Sequence, residues 1–171
     1  MPRYVAFLRG VSPMNLKMPD LQLCCEDIGL GNVRTLRSSG NVVFDASSRS
    51  EAAVARQLEA AMSARLGRSF MTIARRATYL QQLVAGDPWA AFELPPEAKR
   101  IVTFLQAPLP GAIALPPEKD GARMLAVVGS EVFSAYVPHP GTPSFMALIE
   151  KTLGRNVTTR TLDTVSKCAS A

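Results

Sequence analysis

The order of predicted strands and helices in the first 76 residues is the feature that most constrains the fold. Short apolar runs bounded by turn residues predict four strands, at Tyr4–Leu8, Val33–Leu36, Asn41–Phe44 and Phe70–Ala74. Apolar residues at helical spacing predict one helix around Leu21–Ile28 and a second between Ser48 and Gly67. The resulting β-α-β-β-α-β order is that of a ferredoxin-like unit and indicates an α+β protein.

The second half of the chain has a similar predicted order, α-β-β-β-α-β-α. Strands are predicted at Ile101–Leu105, Met124–Val128, Val132–Val137 and Val157–Thr158, and helices at Tyr79–Val84, from Thr142-Pro143 to Gly154, and from Leu162. We therefore expect two ferredoxin-like halves packed together, residues 1–76 and residues 100–171, the latter with a C-terminal helix. Residues 77–99 form a short helix and a connector, in which Trp89 and Phe92 either join the halves or line a cleft between them.

Two further predictions concern the helices. Ser48 and Glu51 match a capping box, in which the two residues satisfy each other's backbone N–H groups at a helix start. Cys24 and Cys25 are adjacent and so point about 100° apart on a helix. We expect at most one of them to face the core, and Cys168 to lie near a frayed C-terminus.

Histidine and cysteine usage excludes several kinds of site. His139 is the only histidine, which excludes His-cluster metal sites and mechanisms with two imidazoles, and it lies in a predicted loop between two prolines. The three cysteines are odd in number and show no C-x-x-C spacing, so neither a disulfide framework nor a zinc site is expected. A reducing cytoplasm fits this usage.

Membrane and cofactor motifs are also missing from the sequence. No apolar run approaches the ~20 residues that cross a bilayer, and the N-terminus reads as a strand and not as a signal segment. No Walker, G-x-G-x-x-G or G-x-S-x-G pattern occurs. We predict no metal, no cofactor and no membrane contact, and the catalytic residues, if the protein is an enzyme, are unknown.

Basic charge is concentrated in the first half of the chain. Residues 1–86 hold 11 Lys/Arg and 6 Asp/Glu, whereas residues 87–171 hold 8 of each, so the first half carries the whole net charge of +5. Such a distribution permits a polyanionic partner, and ordinary solubility charge accounts for it as well. No run of five or more basic residues distinguishes the two explanations.

Motifs at both ends of the chain resemble a known family. The opening residues 3–11 form an apolar strand closed by R-G-V, and Lys17-Met18 follows. Residues 33–44 contain V-R-T and S-S-G-N-V-V-F, and residues 158–167 read T-T-R-T-L-D-T-V-S-K. In this order the motifs resemble domain-of-unknown-function family 1697, an uncharacterised bacterial family, along the whole chain.

The resemblance implies two packed ferredoxin-like halves and implies no activity. Many family members have a glycine-rich N-V-G-G loop after the first strand, where this sequence has Ser12-Pro13-Met14-Asn15. We therefore expect no backbone phosphate cradle in this loop, because proline lacks an N–H group and no glycine remains past Gly10.

The predicted strand ends supply candidate binding residues. Glycine, serine and asparagine offer N–H and hydroxyl donors there, and arginine offers a bidentate fork for carboxylate or phosphate. If the halves pack edge to edge, the closing motif joins the first strand and the hairpin turn. We predict that an anionic small molecule binds at strand ends between the halves, with these ligand-binding residues: Arg9, Gly10, Lys17, Ser38, Ser39, Gly40, Asn41, Thr159 and Arg160.

Other interpretations stay open at this point. The Ser38–Asn41 segment also suits a simple tight turn, and Thr158–Arg160 also suits a cap for the final helix. The basic half could make a non-catalytic nucleic-acid-binding module, although the stacking aromatics of an RNA recognition motif would fall on Ser39 and Asn41. A third possibility is a structural or oligomerisation module. We expect a cytoplasmic monomer or homodimer.

Overall fold

The computed structural model of the protein describes residues 1–138 and 144–171. The described residues form two four-stranded antiparallel sheets and five helices, an α+β fold as predicted. The strands are β1 Arg3–Leu8, β2 Gly31–Leu36, β3 Asn41–Asp45, β4 Thr72–Arg76, β5 Lys99–Leu105, β6 Ala122–Val128, β7 Glu131–Tyr136 and β8 Val157–Thr161. The helices are α1 Met18–Asp27, α2 Glu51–Leu66, α3 Ala77–Gly86, α4 Ser144–Leu153 and α5 Leu162–Ala169.

The chain divides into two compact units. Met1–Gln82 and Ser166–Ala171 form the first unit, and Leu83–Val165 form the second. The last six residues therefore group with the N-terminal sheet, and the Arg3 Nε donates a 2.8 Å hydrogen bond to the carbonyl oxygen of Ala171. The division into halves at residues 1–76 and 100–171, with a short helix and connector at 77–99, stays a prediction.

In the first unit, β1 lies at the centre of the sheet, which has the order β2-β3-β1-β4. Tyr4 is paired with Phe44 on one side and Arg76 on the other. Side chains alternate across the strand, and those of Tyr4, Ala6 and Leu8 join the core formed with α1 and α2. The whole run Tyr4–Leu8 is buried, which explains why it reads in the sequence as a continuous apolar stretch.

Both adjacent cysteines of α1 are buried, so the expectation that at most one would face the core is wrong. Cys24 and Cys25 both belong to the core of the first unit. The reason is that α1 contacts β2 and β3 as well as α2, so more than one stripe of this helix is covered. Cys168 is also fully buried, within α5, and does not lie in a frayed end.

The start of α2 differs from the predicted capping box. The N-cap is Ser50, whose Oγ accepts a hydrogen bond from the Ala53 N–H at 3.1 Å. Ser48 instead accepts from the Arg76 guanidinium at 2.9 Å. The Glu51 carboxylate accepts from the Arg76 backbone N–H at 2.7 Å, so it joins α2 to β4. The predicted stop at Gly67 is correct, because Gly67 is the left-handed C-cap.

The second unit repeats the same strand arrangement, with the order β6-β7-β5-β8. Between β5 and β6, residues 106–121 form no helix, as the proline-rich sequence predicts. One face of this sheet packs with α4, through residues that include Ile101, Phe145 and Ile149. Trp89 is buried within the same unit: its Nε1 donates to the carbonyl oxygen of Ser134 at 2.9 Å, and its ring meets Phe133 edge-on. The predicted helix start at Thr142-Pro143 lies outside the described residues.

Candidate functional site

Seven of the nine predicted binding residues lie around one end of the first sheet. We call Arg9, Gly10, Lys17 and residues 38–41 the strand-end surface. The Leu8 N–H donates to the Gly40 carbonyl oxygen at 2.9 Å, so the end of β1 lies beside the hairpin turn. The next residue, Arg9, donates its N–H to the Met71 carbonyl oxygen at 2.8 Å. These bonds fix the backbone from which the loop 9–17 leaves the sheet.

The loop 9–17 and the hairpin turn are in direct contact at Gly40. Its φ of +86° lies in the left-handed region, and an added Cβ would stand 2.9 Å from the Val11 Cβ and 3.0 Å from the Leu8 Cβ. Real Cβ atoms do not approach so closely, so only glycine allows the two segments to meet at this position. Gly40 therefore has a structural role in bringing the loop and the turn together.

Asn15 holds the loop 9–17 in a compact shape, a role that the sequence analysis missed. Its Nδ2 donates to the Gly10 carbonyl oxygen at 2.8 Å, and its Oδ1 accepts from the Ser12 N–H at 2.8 Å. The sequence signal that could have indicated this role is the presence of an asparagine in a loop, because asparagine side chains often form hydrogen bonds with the nearby backbone. The loop ends at Lys17, which is exposed and is the N-cap residue of α1.

The hairpin turn presents two exposed serines. Asn41 is fully buried, and its Nδ2 donates to the Leu36 carbonyl oxygen at 2.9 Å and to the Ser39 Oγ at 3.0 Å. The Asn41 side chain thus supports the turn from inside, while Ser38 and Ser39 lie on its exposed side. The same side chain that closes the turn therefore also positions the Ser39 hydroxyl group.

The two segments that form the strand-end surface are rich in basic residues. Residues 9–17 and 34–41 contain Arg9, Lys17, Arg34 and Arg37 and no aspartate or glutamate. The nearest acidic residue along the chain is Asp20, in the first turn of α1. This concentration of cations favours anions at the surface.

Thr159 and Arg160, the other two predicted residues, lie on β8 in the second unit. Consecutive residues of a strand point to opposite faces, so their two side chains do not share a face of the sheet. The Thr159 hydroxyl donates to Met146 Sδ at 3.4 Å. The mostly buried Arg160 donates from Nη1 to the Thr158 Oγ1 at 2.6 Å and to the Thr159 carbonyl oxygen at 2.8 Å.

The cysteine thiols are poorly suited to nucleophilic chemistry. Burial raises the pKa of Cys25 to about 12 and also raises the pKa of Cys24 above its ordinary value. A thiol with a raised pKa holds its proton at neutral pH and so offers little of the reactive thiolate. His139, the only imidazole, lies outside the described residues.

Residues 1–138 and 144–171 contain neither a metal-binding cluster nor a membrane-spanning helix. Within these ranges no group of three or more His, Cys, Asp or Glu side chains is placed to hold a metal ion. In the same part of the chain, each helix is too short or too polar to cross a bilayer.

Comparison with a solved structure agrees with the fold. A comparison with curated proteins gave no match. The solved structure titled "conserved bacterial protein SP0830 from Streptococcus pneumoniae" shares 17% identity with this chain, with a TM-score of 0.69 over 99% of this chain and 97% of the other. That similarity shows a shared fold. The model of one family matches residues 1–133, leaving the closing motif at 158–167 beyond the match, and the chain belongs to this family, described as Protein of unknown function (DUF1697).

Proposed function

We propose that this protein binds a small anionic molecule at the strand-end surface of its first unit. The observation that carries the proposal is the contact between the loop 9–17 and the hairpin turn at Gly40. It brings two segments that contain four basic residues and no acidic residue to the same end of the sheet. A small anion there meets positive charge from both segments.

The side chains of this surface suit phosphate or carboxylate groups. Arginine presents a planar fork of N–H donors that matches either group, and Arg9 lies where β1 ends. The exposed Ser38 and Ser39 hydroxyls are additional donors, and Lys17 adds a charge at the far end of the loop. A contribution from Thr159 and Arg160 stays a prediction.

Two further inferences concern the fold of the first unit and the cellular compartment of the protein. We infer that the first unit is ferredoxin-like, because its strand order is β2-β3-β1-β4 and its core includes residues of both α1 and α2. We also infer that the protein works in the reducing cytoplasm, which is supported by the free thiols of Cys24, Cys25 and Cys168.

A thermal-shift screen of the full chain tests the proposed function. The ligands are small phosphates, small carboxylates and a short RNA, each at low and high salt. A ligand that binds the folded state stabilises it by RT ln(1 + [L]/Kd), so we expect one class of small anion to raise the Tm. Arg9→Ala and Lys17→Ala should reduce the shift, whereas Arg56→Ala, an equal charge change on the exposed side of α2, should leave it unchanged.

The same screen identifies the alternatives. A shift with RNA alone that disappears at high salt would instead support the nucleic-acid-binding module, because such binding releases counterions. The absence of any shift, or an equal loss in Arg56→Ala, would contradict binding at the strand-end surface.

A further inference from the structure

A second candidate site lies at the other end of the first sheet. Arg76 is the last residue of β4 and pairs with Tyr4 near the start of β1, whereas the strand-end surface begins beyond Leu8. An open cavity of about 470 Å³ lies beside Arg76. We call it the Arg49–Arg76 cavity, and the residues that could contact a ligand there are Arg49, Ser50, Glu51, Arg76, Thr78 and Tyr79.

The Arg76 guanidinium is held in place by uncharged groups. Its Nη2 donates to the Ser48 Oγ at 2.9 Å, and its central carbon lies 5.3 Å from the centroid of the Tyr4 ring. Tyr4 is itself fixed, because it is fully buried and its hydroxyl donates to the Arg49 carbonyl oxygen at 2.8 Å. The side chain is therefore positioned without being neutralised.

The Arg49 guanidinium also donates hydrogen bonds to neutral groups. It donates to the Gln57 carboxamide oxygen and, at 2.6 Å, to the Ser47 Oγ. Within residues 1–138 and 144–171, neither Arg49 nor Arg76 forms an ion pair with a carboxylate. The cavity thus contains two positive charges that lack acidic partners in this part of the chain.

Glu51 is the acidic residue among those that line the cavity, and one of its carboxylate oxygens already accepts a backbone hydrogen bond. Its Oε2 accepts from the Arg76 N–H at 2.7 Å. The nearby hydroxyl of Ser50 accepts from the Ala53 N–H, which leaves its own proton available for donation. Together, the residues of the cavity contribute two guanidinium groups, three hydroxyl groups and one carboxylate.

We propose that the Arg49–Arg76 cavity binds the phosphate group of a small organic phosphate monoester. The two guanidinium groups and one carboxylate leave the cavity with a net positive charge, and the three terminal oxygens of a phosphate monoester accept from guanidinium and hydroxyl donors. The cavity is much larger than one phosphate group and falls within the ~300–1,000 Å³ typical of small-molecule sites. The remaining volume accommodates the organic part of the molecule, beside the partly exposed Tyr79 ring.

Calorimetric titration of the full chain with phenyl phosphate tests this proposal. We expect saturable binding that Arg49→Ala and Arg76→Ala each weaken about tenfold or more, because charge-assisted hydrogen bonds are lost. Arg56→Ala is the matched control: it removes one exposed arginine charge from α2, away from the residues of the cavity, and affinity should stay within about twofold. Inorganic phosphate should bind more weakly than phenyl phosphate.

Two further variants keep the result interpretable if Arg76→Ala unfolds. Arg76→Lys keeps the charge without the planar fork and should recover part of the affinity. Glu51→Gln keeps an acceptor for the Arg76 N–H while removing the negative charge, and should strengthen binding. Absence of binding by the folded wild-type protein at millimolar phenyl phosphate would overturn the proposal. So would an equal loss in Arg56→Ala, or a loss in Arg9→Ala, which would assign the binding to the strand-end surface.

Discussion

The Glu51 Oε2 accepts a 2.7 Å hydrogen bond from the backbone N–H of Arg76, and this bond joins the first turn of α2 to the last residue of β4. The two residues are 25 positions apart in the sequence. The carboxylate that the sequence assigns to a local capping box therefore makes a tertiary contact. Ser50, two residues after the predicted cap, supplies the cap instead.

The first prediction compares two serines at the start of α2. Ser50→Ala removes the side chain that accepts from the Ala53 N–H and should lower the free energy of unfolding by about 1 kcal/mol. Ser48→Ala removes an exposed bond to the Arg76 guanidinium and should cost less, about 0.5 kcal/mol or below. Urea denaturation of both variants measures the difference. A larger loss in Ser48→Ala would support the capping box over the observed cap.

The second prediction compares two glycines with similar backbone angles. Gly10 has a φ of +78° with nothing within 4 Å of an added Cβ, so Gly10→Ala should cost only the conformational strain of about 1–2 kcal/mol. Gly40→Ala meets the Val11 and Leu8 side chains as well, and should cost a further 1–3 kcal/mol or so. Chemical denaturation gives both values. Equal losses would contradict the close contact of the loop 9–17 with the hairpin turn.

The third prediction concerns the acid dependence of stability at Asp45. Hydrogen bonds from Asn32 and Arg3 hold the pKa of this carboxyl below its usual range. The distances are 2.6 Å from the Asn32 Nδ2 to Oδ2 and 2.8 Å from the Arg3 Nη1 to Oδ1. Because the unfolded carboxyl binds a proton first, the stabilisation is fully present above about pH 4 and is lost as the pH falls through the folded-state pKa.

Asp45→Asn tests this linkage. At pH 7 the variant should be less stable than the wild type, and the difference should shrink as the pH falls below about 4. Glu97→Gln, at an exposed position outside the helices, controls for the general effect of removing a carboxylate. Urea denaturation at several pH values measures both variants. A difference that stays constant or grows towards acid would contradict a lowered pKa at Asp45.

Strands and turns could be predicted well because their signals are local. The buried run Tyr4–Leu8 and the hairpin around Ser38–Gly40 each carry their own apolar and turn residues, and the structure places β1, β2 and β3 accordingly. The predicted strands Met124–Val128 and Val132–Val137 likewise correspond to β6 and β7.

The errors arise where a distant residue decides the outcome. The Glu51 carboxylate accepts a hydrogen bond from the distant Arg76 N–H and not from its own helix start. The burial of both Cys24 and Cys25 depends on α1 being covered by α2 as well as by the sheet. Nothing local to these residues reveals such partners. The Arg49–Arg76 cavity was missed for the same reason, because β4 and the start of α2 are brought together only by the fold.

In the candidate site, some placements follow from local sequence signals and others depend on the fold. Residues at the end of β1 and in the hairpin turn could be placed together because the ferredoxin-like order pairs β1 with β3 in antiparallel fashion, which puts the end of β1 beside the start of β3. The opposite faces of Thr159 and Arg160 also follow from strand geometry alone, once the strand is extended from Val157–Thr158 to Thr161. The support that Asn15 gives to the loop is harder to predict, since its partners depend on the shape of the loop.

The most direct test of anion binding at the strand-end surface is an assigned ¹H–¹⁵N NMR titration of the full chain with inorganic phosphate. Our account predicts saturable shifts of the Gly10, Ser39 and Gly40 amide signals, and their loss in Arg9→Ala. Shifts of the Glu51 and Thr78 amides would report the Arg49–Arg76 cavity separately. If the Gly10, Ser39 and Gly40 signals stay in place at excess phosphate, the account of the strand-end surface is wrong.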